Sequence, residues 1–309
     1  MASINLFIAD GRLGNQLFQI NYIRALCLRN VWLSGYEESI GVIAPERLEG
    51  IHVVSRWAAR LISSASFRNL LVINRARLWR VGIRVISGRG LSTKEQLEKI
   101  VSAIHCNGIK RIMGIDIYMD FTMLGSDSYQ RVQVTHKDNY IREDLKLAAN
   151  MWFKKRGLRA EECCFLHVRK GDYKSWPSEK INALLPTTFY RDAVRYIRDH
   201  SRVRGLKVLL SSDGQVCLSD YEGDYLIEES PDVTFAILSV CNYGVLSPST
   251  FSLAATFHGL ATKSGGLFIA PMYWGGYNGD VWYPDKDSIY FKEMLYLSKE
   301  GKVTSGLRS

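Results

Sequence analysis

The chain has 309 residues, 47% hydrophobic and 23% charged, with a formal net charge of +9. This is the composition of a globular protein with a real core and room for one large domain or two ordinary ones. No apolar run reaches the roughly 18 residues of a membrane-spanning helix, because the longest, around Val233 to Leu246, is interrupted by Ser239 and Asn242.

Residues 4–9 read as a buried strand that starts with neither a basic leader nor the apolar core of a signal peptide. The lack of an Asn-x-Ser/Thr sequon agrees with a cytoplasmic chain. Asp10 to Gln19 then form a turn with Gly11 and Gly14, followed by helical spacing of Leu17, Ile20, Ile23 and Cys27. A strand, glycine turn and helix in this order present free backbone N–H groups to an anion. The turn is neither G-x-G-x-x-G nor a Walker loop.

From Ile51 to Gly90 there are eight arginines and no acid, with Trp57 and Trp79 among them. Two readings are open: a solvated basic face on one or two helices, or a surface drawn to anionic lipid or an anionic acceptor. Nucleic acid has no recognised motif behind it. Thr93 to Ala103 reads as a helix capped by Ser92 or Thr93. Gly114 to Met119 and Tyr129 to Val134 read as extended, and Ile141 opens a helix to about Arg156. The polar stretch from Gly157 to Glu162 is the expected domain boundary.

Cys163 to Tyr173 is an apolar run that ends in a charged turn, the pattern of a buried parallel strand delivering polar groups to its carboxyl edge. His167 and Arg169 share one face, and Arg169 beside a glycine turn suits a phosphate. A helix from Pro186 to about His200, with Thr187 or Thr188 as cap, comes next. Strands at 206–212, 225–227, 243–247 and 267–270 alternate with helices at 234–241 and 250–260, which implies a parallel sheet. Arg169, Asp213 and Ser249-Thr250 close three of its strands and are expected to converge on one crevice. A last helix is expected over Asp287 to Lys299. The six cysteines are scattered without a C-x-x-C pair. They read as buried reduced thiols, and zinc ligation has no support.

Five strings, taken in order, resemble the α-1,2-fucosyltransferases, glycosyltransferase family 11. They are Gly11-Arg12-Leu13-Gly14-Asn15-Gln16-Leu17-Phe18-Gln19; His167 to Tyr173; Ser212-Asp213; Asp232 to Cys241; and Ser249 to Ala255, with Pro271 to Trp274 as a closing match. Lys170 stands for an Arg of the family pattern, Gly214 for a second acid, Pro248 for an Asn, and a Trp pair is missing. The match is poor over about 31–140.

The resemblance implies an α/β, GT-B-like fold of two facing Rossmann-like domains with mainly parallel sheets. The expected parts are an acceptor-side domain at 1–157, a GDP-sugar-binding domain at 158–285, and a C-terminal helix and tail at 286–309. It implies inverting transfer of L-fucose from GDP-fucose to a sugar hydroxyl, galactose O2 of a glycan or glycolipid in an α-1,2 linkage, with no metal or other cofactor. By the same resemblance Arg169 binds the β-phosphate. Ser249, Thr250 and Phe251 at the helix start help hold the donor, His167 and Asp213 contact guanine or ribose, and Asn15 and Gln16 reach the donor from the other domain. Asp172 is the candidate base; another residue as base, or late proton loss to the diphosphate, are the alternatives. Another donor or linkage on the same fold, or a weak nucleotide-sugar binder, remain open readings. The expected location is cytoplasmic, and the acid-free arginine stretch motivates peripheral contact with the anionic inner face of a membrane beside the alternative of a solvated basic face.

Overall fold

β1 (Ile4–Ile8), β2 (Val31–Ser34), β3 (Ile51–Val53), β4 (Ile83–Ser87) and β5 (Ile115–Met119) form a five-stranded sheet in the order β3-β2-β1-β5-β4. Every pairing in it is parallel. β6 (Cys163–Val168), β7 (Lys207–Ser212), β8 (Tyr225–Leu226), β9 (Tyr243–Val245), β10 (Leu267–Pro271), β11 (Leu295–Leu297) and β12 (Val303–Ser305) form a second sheet, ordered β12-β11-β10-β9-β6-β7-β8. It is parallel except for the β11–β12 pair. These elements belong to a computed structural model that describes residues 4–28, 30–44, 48, 50–105, 114–121, 141–178, 181–262 and 266–305. The extended segment expected at 129–134 lies outside the described residues.

The chain divides by its contacts into two units, Met1–His136 and Lys137–Ser309. The helix Glu143–Lys155 therefore counts with the second unit, although the sequence sets the boundary after it, near 157. Its Leu145, Ala149, Trp152 and Phe153 are buried, and it packs on the helix Pro231–Ser239. Acids in its first turn and lysines in its last suit the helix dipole. It stops at Gly157, with φ +63. There Gly157 N–H donates to Lys154 O (3.2 Å) and Leu158 N–H to Phe153 O (3.1 Å), a Schellman ending.

β6 is buried along all six residues, as a central parallel strand must be. Its neighbour β9 carries Gly244 where a Cβ would stand 2.4 Å from the Phe165 ring. Apolar side chains of β6, β7 and the helix Thr187–His200 form one core around Leu166, Val208 and Val194. That helix begins after Pro186 with no side-chain cap, so neither Thr187 nor Thr188 serves as one. Ser92 does cap the helix Thr93–His105, in a reciprocal box with Glu95.

Two expectations are corrected. The C-terminal helix is a single turn, Lys286–Ile289, followed by β11 and β12. Ile289, Phe291, Met294, Tyr296 and Leu297 are buried, a spacing that holds to no single helical face, and the open edge of β10 takes β11 as a partner. The cysteines are not all buried: Cys27 and Cys217 are exposed, whereas Cys163, Cys164 and Cys241 are inside. Burial pushes the Cys163 thiol up to about 12. Cys106 lies outside the described residues.

Candidate functional site

In the second unit the chain leaves β6 toward β7 and β8 on one side, then returns to place β9 and β10 on the other. The crevice at the carboxyl ends of β6 and β9 is thus the switch point, where open α/β sheets take their ligands. One hydroxyl ties the two ends together. Ser247 Oγ donates to His167 O at 2.8 Å and accepts the Arg169 N–H at 2.8 Å. Tyr190 Oη lies 2.7 Å from the same oxygen, and with the serine proton already committed, the tyrosine is the donor.

Arg169 projects from the end of β6. Its Nη1 stands 3.0 Å from Asp213 Oδ2, and its Nη2 stands 3.0 Å from Asp172 Oδ1. The guanidinium also lies over the Tyr173 ring, 5.3 Å from its centre. Its Nε is buried and has no hydrogen-bond partner among the described residues. Asp213 is doubly engaged, because its Oδ1 accepts the Lys170 N–H at 2.7 Å. Gly171 makes room for this carboxylate, since a Cβ there would lie 2.7 Å from Asp213 Oδ2. Asp172, by contrast, is 56% exposed, and among the described residues Arg169 is its one charged partner.

His167 is buried, and its ring lies 5.4 Å from that of Phe251. Burial and the Arg169 charge, only partly offset by Asp213, bring its pKa down to about 4. The imidazole is therefore neutral near pH 7. Its Nδ1 is enclosed without a partner among the described residues. Ser249 precedes the helix Thr250–Thr262, accepting the Phe251 N–H on its hydroxyl (3.3 Å) and the Leu253 N–H on its carbonyl (3.1 Å). No acid lies in the first turn of this helix, so its N-terminus keeps its favourable field for an anion. The structure thus brings His167, Arg169, Asp172, Asp213 and Phe251 into one network, with Ser249 and Thr250 at the adjoining helix start. The sequence did not single out Ser247 or Tyr190. Their signal was weak: a serine after an apolar strand and a tyrosine at an inward helix position.

Asn15 and Gln16 lie in the first unit, at the start of the helix Leu13–Ala25. Gly11 adopts φ +74, and a Cβ on it would stand 2.3 Å from Asn15 Nδ2. Gln16 is buried; its Nε2 donates to Gly11 O (3.1 Å) and its Oε1 accepts the Ser39 N–H (3.3 Å). Asn15 is half-buried.

The basic stretch folds into three short helices, Arg56–Ser63, Ala65–Ile73 and Arg75–Arg80, rather than one or two. Arg68 and Arg84 turn inward to Asp120 and Asp116. Both acids come from β5 or its end, so the lack of acids within 51–90 did not reveal them. Arg56, Arg60, Arg75, Arg77 and Arg80 have no acid partner among the described residues. Among the described residues, no helix is long and apolar enough to cross a membrane. No group of three or more His, Cys, Asp or Glu among them is placed to hold a metal.

No protein-family model matches the chain. The Escherichia coli O-antigen biosynthesis glycosyltransferase WbnK is 25% identical over 119 residues, which is 35% of this chain and 38% of that protein. The match therefore spans well under half of the relative. The fucosyltransferase NodZ from Bradyrhizobium superposes over 83% of this chain and 92% of its own, at 11% identity and a TM-score of 0.51. POFUT1 in complex with GDP-fucose superposes over 86% and 97%, at 11% identity and a TM-score of 0.52. FUT1 of Arabidopsis thaliana, in complex with GDP, superposes over 84% and 69%, again at 11% identity and 0.52. These likenesses establish the fold as α/β and GT-B-like, with parallel sheets.

Proposed function

We propose that this chain is an inverting glycosyltransferase that moves L-fucose from GDP-fucose to a sugar hydroxyl. The observation that carries this reading is Arg169 at the β6/β9 switch point, beside the N-terminus of Thr250–Thr262. A guanidinium offers paired charged hydrogen bonds to phosphate oxygens. Charge grows on the departing GDP in the transition state, so a donor fixed there accelerates the step. Ser249, Thr250 and the Phe251 backbone hold the diphosphate, and neutral His167 offers its unsatisfied nitrogen to the nucleoside. The family-like string Gly11 to Gln19 supports Asn15 and Gln16 as further donor-binding candidates. The ion pair with Arg169 supports a positioning role for Asp172 rather than that of general base. Asp213, tied to Lys170, supports the motif turn as well as the nucleotide. Arginine and helix N–H groups meet the diphosphate charge without a metal.

The five family-like strings support an α-1,2 linkage to galactose O2, on a galactose-containing glycan or glycolipid. The fucosyltransferase neighbours that bind GDP or GDP-fucose, and the O-antigen relative, agree with the donor and the acceptor class. Exposed Trp57 (80%), Ile73 (80%) and Trp79 (55%), set among unpaired arginines, support peripheral contact with an anionic membrane.

Thermal-shift screening tests the donor. GDP and GDP-fucose should both raise the melting temperature by mass action. A shift with a UDP-sugar and none with GDP would overturn the assignment. Two-dimensional NMR of the product made from GDP-fucose and lactose then reads the linkage at galactose O2.

A further inference from the structure

The first unit has a switch point of its own, between β1 and β5, where β2 and β3 lie to one side and β4 to the other. Asp10 follows β1, and Asp120 follows β5. Arg68, from the helix Ala65–Ile73, sits between the two strand ends. Its Nη2 donates to Ala9 O at 2.7 Å, and its Nη1 meets Asp120 Oδ1 at 3.2 Å. Ser87 Oγ donates to Asp120 Oδ2 at 2.7 Å, and Arg89 Nε stands 3.7 Å from the same oxygen. Asp10 is anchored by its backbone: Gln19 Nε2 donates to its carbonyl (2.7 Å), and its N–H donates to Gln19 Oε1 (3.3 Å). Among the described residues the Asp10 carboxyl is met by the Gly11 backbone and by no side-chain donor.

An independent observation marks the place as a site. Tyr36 is 1% exposed, yet its hydroxyl has no hydrogen-bond partner among the described residues. Such a group costs stability unless something satisfies it. Tyr36 follows the end of β2, where Ser34 O accepts the Ala9 N–H at 2.9 Å, so it stands beside the β1 end that carries Asp10. Arg68 Nε is likewise enclosed and unpartnered.

The chemistry narrows the ligand. Arg68 already fills the cation's position between the Ala9 carbonyl and Asp120, which disfavours a metal ion. The Asp10 and Asp120 carboxylates disfavour an anion. What remains is a neutral molecule rich in hydroxyls, able to donate to carboxylates and to exchange hydrogen bonds with a phenol. We propose that Asp10, Asp120 and Tyr36 at the β1/β5 edge form a saccharide-binding site, with Arg68 fixing Asp120. Resting on the transferase reading, its occupant is the galactose-containing acceptor.

The test uses the full chain, lactose as the probe, and saturation-transfer NMR with and without GDP. Tyr36→Phe removes one oxygen and nothing else, and Asp10→Asn keeps the shape of the carboxylate. Both variants should weaken lactose binding at least tenfold, while GDP binding stays at the wild-type value and the melting temperature does not fall, Tyr36→Phe raising it if anything because it removes an unsatisfied buried hydroxyl. For turnover, KM for lactose should rise and KM for GDP-fucose should not. Wild-type lactose affinity in both variants would overturn the proposal, and so would a wild-type chain that binds GDP but not lactose. A chain that binds lactose but no GDP would instead overturn the transferase reading and leave the saccharide site standing.

Discussion

Arg169 Nη2 and Asp172 Oδ1 are 3.0 Å apart, and this contact falls on the guanidinium edge that a phosphate needs. That edge comprises Nη2 and Nε, and Nε has no other partner. Asp213 takes the other nitrogen, Nη1, and can stay there when a ligand arrives. Asp172 is the more exposed of the two and lacks the second tie that Asp213 makes to Lys170 N. The pair therefore divides the work: Asp213 fixes the arginine, and Asp172 guards the edge until the diphosphate displaces it.

Replacing Arg169 measures the clamp. Arg169→Ala should lower kcat by at least about a hundredfold, the usual loss when one donor to a developing anion is removed. Arg169→Lys should recover only a small part, because an ammonium keeps the charge and loses the paired geometry. Single-turnover kinetics at saturating GDP-fucose read the chemical step directly.

Asp172→Asn separates guard from base. If Asp172 competes with the diphosphate, the amide should tighten GDP binding and leave kcat within a few-fold of wild type. A loss of turnover of 100-fold or more, with unchanged GDP affinity, would make Asp172 the proton acceptor instead. Isothermal titration with GDP and steady-state kinetics together decide it.

His167 predicts a pH dependence of stability. Its folded pKa is lowered to about 4, against about 6.5 in the unfolded chain. Between these values the unfolded state binds a proton that the folded state does not, so stability rises with pH. The contribution is fully present above about pH 6.5 and is lost as pH falls through about 4, a change of about 3 kcal/mol. Urea melts from pH 4 to 7 should show the slope in the wild type, and His167→Gln should flatten it.

The glycine turn of the first unit makes a backbone prediction. At φ +74, with Asn15 crowding the place of a Cβ, Gly11→Ala should cost about 2 kcal/mol and lower the melting temperature. Gly50→Ala is the control, for it has a similar φ, +75, and open space around it, and should cost less.

The exposed indoles make a surface prediction. Replacing Trp57, Ile73 and Trp79 with Ser should abolish flotation with phosphatidylglycerol vesicles and leave the melting temperature unchanged, since all three are outside the core. A wild-type chain that stays unbound to these vesicles at low salt would sink the membrane reading.

Much of this architecture was legible in the sequence, for identifiable reasons. β6 announced itself as a short apolar run leading through His167 to Arg169, and β7 as another leading through two serines to Asp213; their register then sets both ends side by side. Periodicity could not find the C-terminal strands, because β11 and β12 are short and owe their conformation to the edge of β10. It also could not foresee that Arg68 points inward, since its partner Asp120 is 52 residues away. The same blindness hid Tyr36 and Asp10, whose relation exists only once β1, β2 and β5 are assembled.

Ser247 has one proton and two lone pairs, and His167 O, Arg169 N–H and Tyr190 Oη use them all. It has nothing left to offer a ligand, which is why the hydroxyl proposed for the diphosphate is that of Ser249. Its saturation also turns position 247 into a gauge. The helix Thr187–His200 meets the root of Arg169 through Tyr190 and this oxygen, and it packs on β6 through the shared core, so a shift of that helix would be transmitted to the arginine's backbone. Residues far from any substrate would then tune the site.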